Sequence, residues 1–279
     1  MCVAASAGSA RASQLIDRNA RDVTLRPNAS GEALLSYVAA GRRRRVIAWA
    51  AIGARTPGEG RAQVAFRLDY SGRHDRGAFH GGCGPYTGPP LVDAVVACTA
   101  PDGTYWAVQQ WQRELPDYGV EPTPAQSVRE LRLSHWRGPL AQLAVATDWS
   151  WHRFDHLYGT LTYLGHPAFG FRSTSRGAPL DGFGRNVYID TYDSAYGSGW
   201  RRENSALTHT STGAFCYSFN PHGEHPAGTG TRYRLTVIGP GVTPDVSWEG
   251  PSPGPYDRAA DARANAAIAA LHDRLCLPN

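Results

Sequence analysis

Apolar and polar residues alternate in short segments along most of this chain, a pattern that is typical of half-buried β-strands. Residues 63–70 alternate throughout, and residues 128–136 place Leu131 and Leu133 on one face. The same kind of segment recurs at residues 23–26, 33–37, 46–50, 91–99, 105–111, 143–149, 157–163, 168–172, 186–192, 213–219 and 232–238. Clusters of Gly, Pro, Asn and Asp separate the segments, so the pattern predicts strands joined by turns.

The C-terminal part has a different pattern. Residues 257–275 are rich in Ala and contain neither Gly nor Pro, and Ile268, Leu271 and Leu275 fall on one helical face. We therefore expect an all-β or β-rich fold, in which an antiparallel β-sandwich-like domain carries a docked C-terminal α-helix. A ferredoxin-like or other α+β fold is the alternative.

The expected organisation is a single domain with a tail. Residues 1–12 are interpreted as a signal-peptide remnant or disordered tail, residues 13–256 as the β-rich domain and residues 257–279 as the C-terminal helix packed on the same domain. Within the domain, residues 13–21 are polar and predict a short helical turn, whereas residues 239–256 are rich in Pro and Gly and predict a linker.

Composition supports a folded chain with many turns. Hydrophobic residues make up 42% and charged residues 19% of the 279, which argues against disorder, and the 31 Gly and 20 Pro supply turn residues. All 28 basic residues are Arg, and the net charge is only +4. The one basic run, Arg42 to Arg45, follows Gly41 and predicts a solvated hairpin tip; a polyanion contact is the alternative.

Four cysteines indicate an oxidising compartment. Cys2 stands apart in an Ala-rich stretch in which Ala10-Arg11-Ala12 fits a signal cleavage site. The other four predict two disulfides, and local closure favours the pairs Cys83–Cys98 and Cys216–Cys276. We expect a secreted or extracytoplasmic protein; a cytoplasmic protein with a floppy tail is the alternative. No apolar run reaches the roughly 18 residues of a membrane helix, so we expect no membrane span.

Residues 171–204 are the candidate binding segment, because aromatic, Arg and acidic residues alternate there with Gly. Aromatic faces stack on apolar sugar faces, and Arg, Asp and Asn side chains hydrogen-bond sugar hydroxyls. The candidate stacking residues are Tyr188, Tyr192, Tyr196 and Trp200, and the candidate hydrogen-bonding residues are Arg185, Asp190, Asp193 and Asn204. The alternative is a loop-rich rim of the sandwich, in which the same residues form turns.

Other chemistries have weaker support. His152 with His156 and His222 with His225 are close pairs, but their spacing lacks a zinc-protease frame, so we interpret them as loop histidines and expect no metal. There is no G-x-S-x-G motif, and a phosphate loop that ends in Lys is impossible without Lys. We therefore expect no cofactor and no nucleic-acid partner.

Three function classes remain. The first is an exported protein that binds an extracellular glycan or a cell-envelope component. The second is a secreted glycosidase-like hydrolase, which would need two facing carboxylates. The third is a structural envelope protein without a small ligand. The carboxylates available to the hydrolase are Asp148, Asp155, Asp181, Asp190, Asp193 and Glu203.

Overall fold

A computed structural model describes residues 13–55, 64–71, 79–116, 120–121, 123–151, 154–168, 187–206, 213–221, 223–273 and 276. Its elements in chain order are β1 (Gln14–Arg18), β2 (Arg21–Pro27), β3 (Ala33–Ala39), β4 (Arg42–Trp49), β5 (Arg67–Asp69), β6 (Ala94–Thr99), β7 (Tyr105–Trp111), β8 (Glu130–Trp136), β9 (Gln142–Ser150), β10 (Phe154–Tyr163), β11 (His166–Pro167), β12 (Val187–Ser194), β13 (Gly197–Ala206), β14 (Ala214–Ser218), β15 (Arg232–Val237), β16 (Val246–Pro251) and α1 (Arg258–Ala269).

These strands form four antiparallel sheets within the described residues. The meander is β2-β3-β4-β5, and the central sheet has the order β1-β8-β7-β6. In the β10 sheet, β10 pairs with β9 along one edge and with β14 and β11 along the other. The cleft sheet has the order β13-β12-β15-β16. The expected β-rich fold with a C-terminal helix is confirmed.

Two hydrophobic cores lie on opposite faces of the central sheet. Trp106, Val108 and Leu133 belong to the first core, which the meander completes with residues such as Leu35 and Val46. Because side chains alternate across a strand, the neighbouring Ala107 belongs to the second core. The β10 sheet and the cleft sheet complete that second core. Their contributions include Leu157, Leu161, Ile189, Tyr233 and Leu235.

Both predicted disulfides are present. Cys83 pairs with Cys98 at the end of β6, with 4.9 Å between the Cα atoms. Cys216 in β14 pairs with Cys276, which follows α1, with 5.5 Å between the Cα atoms. The second bridge therefore ties the chain beyond the helix to the β10 sheet. Cys2 and the rest of residues 1–12 lie outside the described residues.

The C-terminal helix is shorter than the predicted 257–275, because it ends at Ala269. Asp257 caps its N-terminus by accepting the backbone N–H groups of Ala259 at 2.7 Å and Ala260 at 3.2 Å. The helix packs on β9, and Ser150 Oγ of that strand donates to Asn265 Oδ1 at 2.5 Å. Among the described residues, no helix is long and apolar enough to cross a membrane.

Several local predictions were wrong. Residues 14–18 form β1 rather than a helical turn, because pairing with β8 gives this polar segment a hydrogen-bonded ladder. The Arg run lies inside β4 rather than at a hairpin tip, and the turn consists of Ala40 and Gly41, both with positive φ. The supposed linker contains β16. Residues 197–206, for which no strand was predicted, form β13.

Candidate functional site

The hairpin of β12 and β13 places the candidate residues on two faces of the cleft sheet. Tyr188, Asp190 and Tyr192 alternate on one face of β12, and the ring of Tyr188 contacts that of Trp111 in β7 at 5.8 Å. A register shift sets Arg202 opposite Asp190, while Trp200 lies opposite Tyr192. Polar and aromatic residues thus share this face of the β12–β13 hairpin.

Asp190 is the charged centre of this face and is only 2% exposed. One carboxylate oxygen accepts from Arg202 Nε at 2.6 Å. The other accepts from Arg234 of β15, at 2.9 Å from Nη2 and 3.1 Å from Nε. Because both oxygens are occupied by guanidinium donors, Asp190 positions two arginines and is not itself presented to solvent.

Trp200 and the arginines of β15 form a stack. The guanidinium carbon of Arg234 lies 4.2 Å from the Trp200 ring centre, and the Tyr192 ring meets Trp200 edge-on at 5.1 Å. Arg232 lies 4.3 Å over Tyr192 and forms an ion pair with Glu249 of β16 at 2.5 Å. Cation–π contacts of this kind hold both guanidinium planes in place.

A cleft of about 490 Å³ opens beside this stack, between the cleft sheet and the end of β7. Two hydrogen bonds from Arg202 fasten its wall to β13. The backbone N–H of Arg202 donates to Pro116 O at 2.8 Å, and its side-chain Nη2 donates to Arg113 O at 2.7 Å. The residues that line the cleft are Asp93, Trp111, Gln112, Leu115, Pro116, Arg129, Ser198, Gly199, Trp200, Arg201, Arg234, Thr236 and Ser247.

A buried polar network supports the wall from behind. Asp245, 1% exposed, accepts the indole N–H of Trp111 at 2.8 Å and pairs with Arg132 of β8 at 3.3 Å. Arg132 also contacts Glu130 at 2.9 Å. Glu130 in turn pairs with Arg113 at 3.2 Å. The network fixes Trp111 at the junction of the central sheet and the cleft sheet.

The structure brings only part of the predicted set to the cleft. Trp200 lines it, Tyr192 packs against Trp200, and Asp190 acts through Arg234. Tyr188 is buried behind Trp111, and burial raises its pKa. Arg185 lies outside the described residues.

The remaining predicted residues lie away from the cleft. Tyr196 is buried and donates its hydroxyl to Pro226 O at 2.8 Å. Asp193 is an exposed residue near the end of β12 with a φ of 47°, and its carboxylate accepts Gly199 N–H at 2.7 Å. Asn204 pairs with Ile189 and so shares the face opposite to Trp200.

Sequence reasoning missed most of the lining. Trp111, Arg129 and Arg234 are separated in sequence from the candidate segment. Arg234 reaches it through the pairing of β12 with β15, and Trp111 and Arg129 reach it through the packing of the central sheet on the cleft sheet. Arg234 carried one usable signal, because it alternates with the apolar Tyr233 and Leu235 in a predicted strand. No comparable pattern marks the wall residues.

The carboxylates proposed for hydrolysis are dispersed. Asp155 accepts the Tyr233 hydroxyl, and burial raises the pKa of Asp155. Glu203 is fully buried and accepts the Tyr217 hydroxyl at 2.9 Å. Asp148 accepts the N–H of its neighbour Trp149 at 2.8 Å. These three do not line the cleft, and Asp181 lies outside the described residues.

The histidines do not form a described metal site. His156 is buried against Trp151, with 4.7 Å between ring centres, and burial lowers its pKa. His225 is exposed, while His152 and His222 lie outside the described residues. Within the described part of the chain, no group of three or more His, Cys, Asp or Glu residues could hold a metal ion.

The cleft is the feature of the described residues that best fits a ligand site, since it joins an aromatic side chain, polar groups and a rigid wall. The chain has no match among protein-family models, among curated proteins or among solved structures.

Proposed function

We propose that this is an extracytoplasmic binding protein that holds a glycan or a glycan-containing cell-envelope component in the cleft beside Trp200. The single observation that carries the proposal is the composition of the cleft. It presents Trp200 together with Arg234, Thr236, Ser247 and Gln112, a combination of aromatic surface and hydrogen-bonding groups that suits a sugar ring and its hydroxyls.

The site has the rigidity that binding favours. Arg234 is held by Asp190 and by the Trp200 ring, and Trp111 is held by Asp245. Side chains that are already fixed lose little conformational entropy when a ligand arrives. The cleft is thus preorganised without help from a ligand.

The carboxylate distribution favours binding over hydrolysis. A glycosidase needs two carboxyl groups roughly 5–10 Å apart on either side of the bond that is cleaved. Among the described lining residues, Asp93 is the only carboxylate. Asp190 lies behind Arg234 with both oxygens occupied by arginines. The described lining therefore lacks the second carboxylate.

Two disulfides support an extracytoplasmic location. Such bridges persist in oxidising compartments and are rare where thiols are kept reduced. Extracellular glycans and cell-envelope polymers are the ligands that a protein in such a compartment meets.

The test is polysaccharide binding with a matched tryptophan pair. A panel of neutral and acidic polysaccharides is used in pull-down and calorimetry with wild type, Trp200→Ala and Trp149→Ala. Trp149 is a suitable control because it is also partly exposed and meets a tyrosine, Tyr256, edge-on at 5.7 Å, away from the cleft.

We expect binding to at least one polymer, lost in Trp200→Ala and retained in Trp149→Ala. Removing a stacking aromatic side chain should weaken binding by about tenfold or more. Equal binding by the two variants, or no binding to any polymer, would contradict the proposal.

A further inference from the structure

We propose that the cleft selects acidic saccharides, with a carboxylate of the ligand bound by Arg234 and assisted by Arg129. This inference rests on the proposed function and names the substrate class of the same site. It is carried by the charge balance of the cleft and by the way in which Arg234 is held.

The lining is positively charged. It contains three arginines and one carboxylate, Asp93. Arg201 also lines the cleft and packs close to Gly197, since a Cβ built on that glycine would lie 3.0 Å from its Nη2. We assign the ligand to Arg234 and Arg129, because both keep donors that have no acceptor in the described part of the chain.

The charge of Arg234 is not cancelled by its buried partner. Asp190 contacts two guanidinium groups, those of Arg202 and Arg234, so a single negative charge faces two positive charges. Arg202 is only 9% exposed in its side chain, whereas Arg234 is 26% exposed. The uncompensated positive charge is thus presented on the side where Arg234 meets the cleft.

Arg234 also keeps a donor for a ligand. Its Nε and Nη2 donate to Asp190, and its plane lies on Trp200. Among the described residues we find no acceptor for its Nη1. A guanidinium that is held on one edge and open on another is preorganised to bind a carboxylate.

Neighbouring groups complete the environment. Thr236 and Ser247 are paired across β15 and β16 and line the cleft beside Arg234. Their hydroxyls can therefore hydrogen-bond the oxygen atoms of a sugar. Arg129 is exposed and is anchored by one bond, from Nη2 to Gln110 O at 2.6 Å. Its remaining donors have no acceptor in the described part of the chain, which leaves them for an anion.

Asp93 allows a test in which removing a negative charge and removing a positive charge should have opposite effects on binding. Its carboxylate lies in the same lining and repels an acidic ligand, so removing its charge should strengthen the binding of an acidic polymer. Loss of Arg234 should weaken that binding. A merely structural role for these residues would not produce opposite effects.

The probes are alginate, polygalacturonate and hyaluronan, each compared with its carboxyl-reduced form, in which the acid is replaced by a primary alcohol on the same ring. Calorimetry is run with wild type, Arg234→Gln, Arg129→Gln and Asp93→Asn. Arg137→Gln is the matched control, because Arg137 is exposed and also donates to one backbone carbonyl, Asp102 O at 3.1 Å. Circular dichroism checks that each variant is folded.

We expect wild type to bind at least one acidic polymer about tenfold or more tightly than its reduced form, the scale of one charge-assisted hydrogen bond. Arg234→Gln and Arg129→Gln should reduce that preference, Asp93→Asn should increase it, and Arg137→Gln should leave it unchanged. If Arg234→Gln does not fold, Arg129→Gln and Asp93→Asn still test the preference.

The experiment distinguishes failure of the acidic preference from failure of glycan binding itself. Equal or tighter binding of the reduced polymers, or of neutral polysaccharides only, overturns the acidic preference and leaves the proposed glycan binding in place. No binding of either form of any polymer overturns both.

Discussion

At the scale of single residues, buried charges in the described part of the chain pair with one another. Asp190 was predicted to hydrogen-bond a sugar, and the structure instead shows both of its oxygens accepting from arginines. A sequence shows that a carboxylate lies in a strand, but it does not show which basic side chains the neighbouring strands bring to it. The same limit applies to Tyr188, a predicted stacking residue that is only 3% exposed.

Asp190→Asn should destabilise the fold by about 3 kcal/mol, because it leaves the buried Arg202 without its counter-charge. Urea unfolding followed by tryptophan fluorescence measures the loss. Asp193→Asn is the control: Asp193 is exposed and accepts one backbone N–H, so its change should cost about 1 kcal/mol or less. Similar losses in the two variants would show that the Asp190 pair contributes little.

His135 should make stability depend on pH. The side chain is 3% exposed, its Nδ1 lies 2.5 Å from Ala51 O and its Nε2 lies 2.9 Å from Thr104 Oγ1. Burial lowers its pKa from 6.5 to about 4. The unfolded chain therefore binds a proton at a higher pH than the folded one. The stabilisation is complete above pH 6.5 and is lost as pH falls toward 4, to a total of about 3 kcal/mol.

Comparison with His135→Gln isolates this effect. We expect the variant to lose less free energy of unfolding than wild type between pH 6.5 and 4, as measured by urea unfolding at each pH. His166→Gln, at an exposed position in β11, should keep the wild-type slope. A wild-type slope in His135→Gln would assign the pH dependence to other groups.

At the scale of elements, strand positions with alternating apolar residues were predicted well, and polar strands were missed. Residues 105–111 were predicted and form β7 with those bounds. In contrast, β13 begins Gly-Ser-Gly and carries Arg202 and Glu203, so it resembles a loop in sequence. Its strand conformation is a consequence of pairing with β12, and pairing depends on the partner strand rather than on local residue preference.

The Cys216–Cys276 bridge should hold α1 in place. The double variant Cys216→Ala/Cys276→Ala is expected to lose amide protection in α1 while β12 and β15 remain protected, as hydrogen exchange measures. The bridge spans 60 residues of sequence and the other spans 15, so chain entropy assigns them about 4 and about 3 kcal/mol.

The matched comparison is Cys83→Ala/Cys98→Ala. This variant removes a disulfide distant from the helix and should leave the protection of α1 unchanged. Equal protection of α1 in both double variants would show that the contact with β9 suffices to hold the helix.

At the scale of the whole molecule, one carboxylate joins the central sheet to the cleft sheet. Asp245 precedes β16 and contacts Trp111 of β7 and Arg132 of β8. It also accepts the Ser13 hydroxyl at 2.5 Å. The wall of the cleft therefore depends on residues far apart in the chain.

Asp245→Ala should cost about 3 kcal/mol of unfolding free energy, because Trp111 loses its acceptor and the buried Arg132 loses one of its two carboxylate partners. Urea unfolding measures the loss, and the fluorescence of the folded state reports the altered environment of Trp111. Asp148→Ala is the control. Its carboxylate accepts the backbone N–H of Trp149, and its change should cost about 1 kcal/mol or less. Equal losses of unfolding free energy in Asp245→Ala and Asp148→Ala would show that Asp245 does not link the two sheets.

The sequence by itself determined the fold class, the C-terminal helix and both disulfides. Alternation and turn residues are local properties, and the cysteine pairing is the one of the three possible pairings with the shortest loops, so all of these can be recognised without coordinates. Trp200 was likewise identified from the sequence as a candidate for the site. Only the tertiary structure decided the order of the strands and the composition of the cleft, because Arg234, Arg129 and Trp111 meet Trp200 through strand register and sheet packing. Strand register and sheet packing depend on the free energy of the whole fold, and no single segment of the sequence determines that free energy.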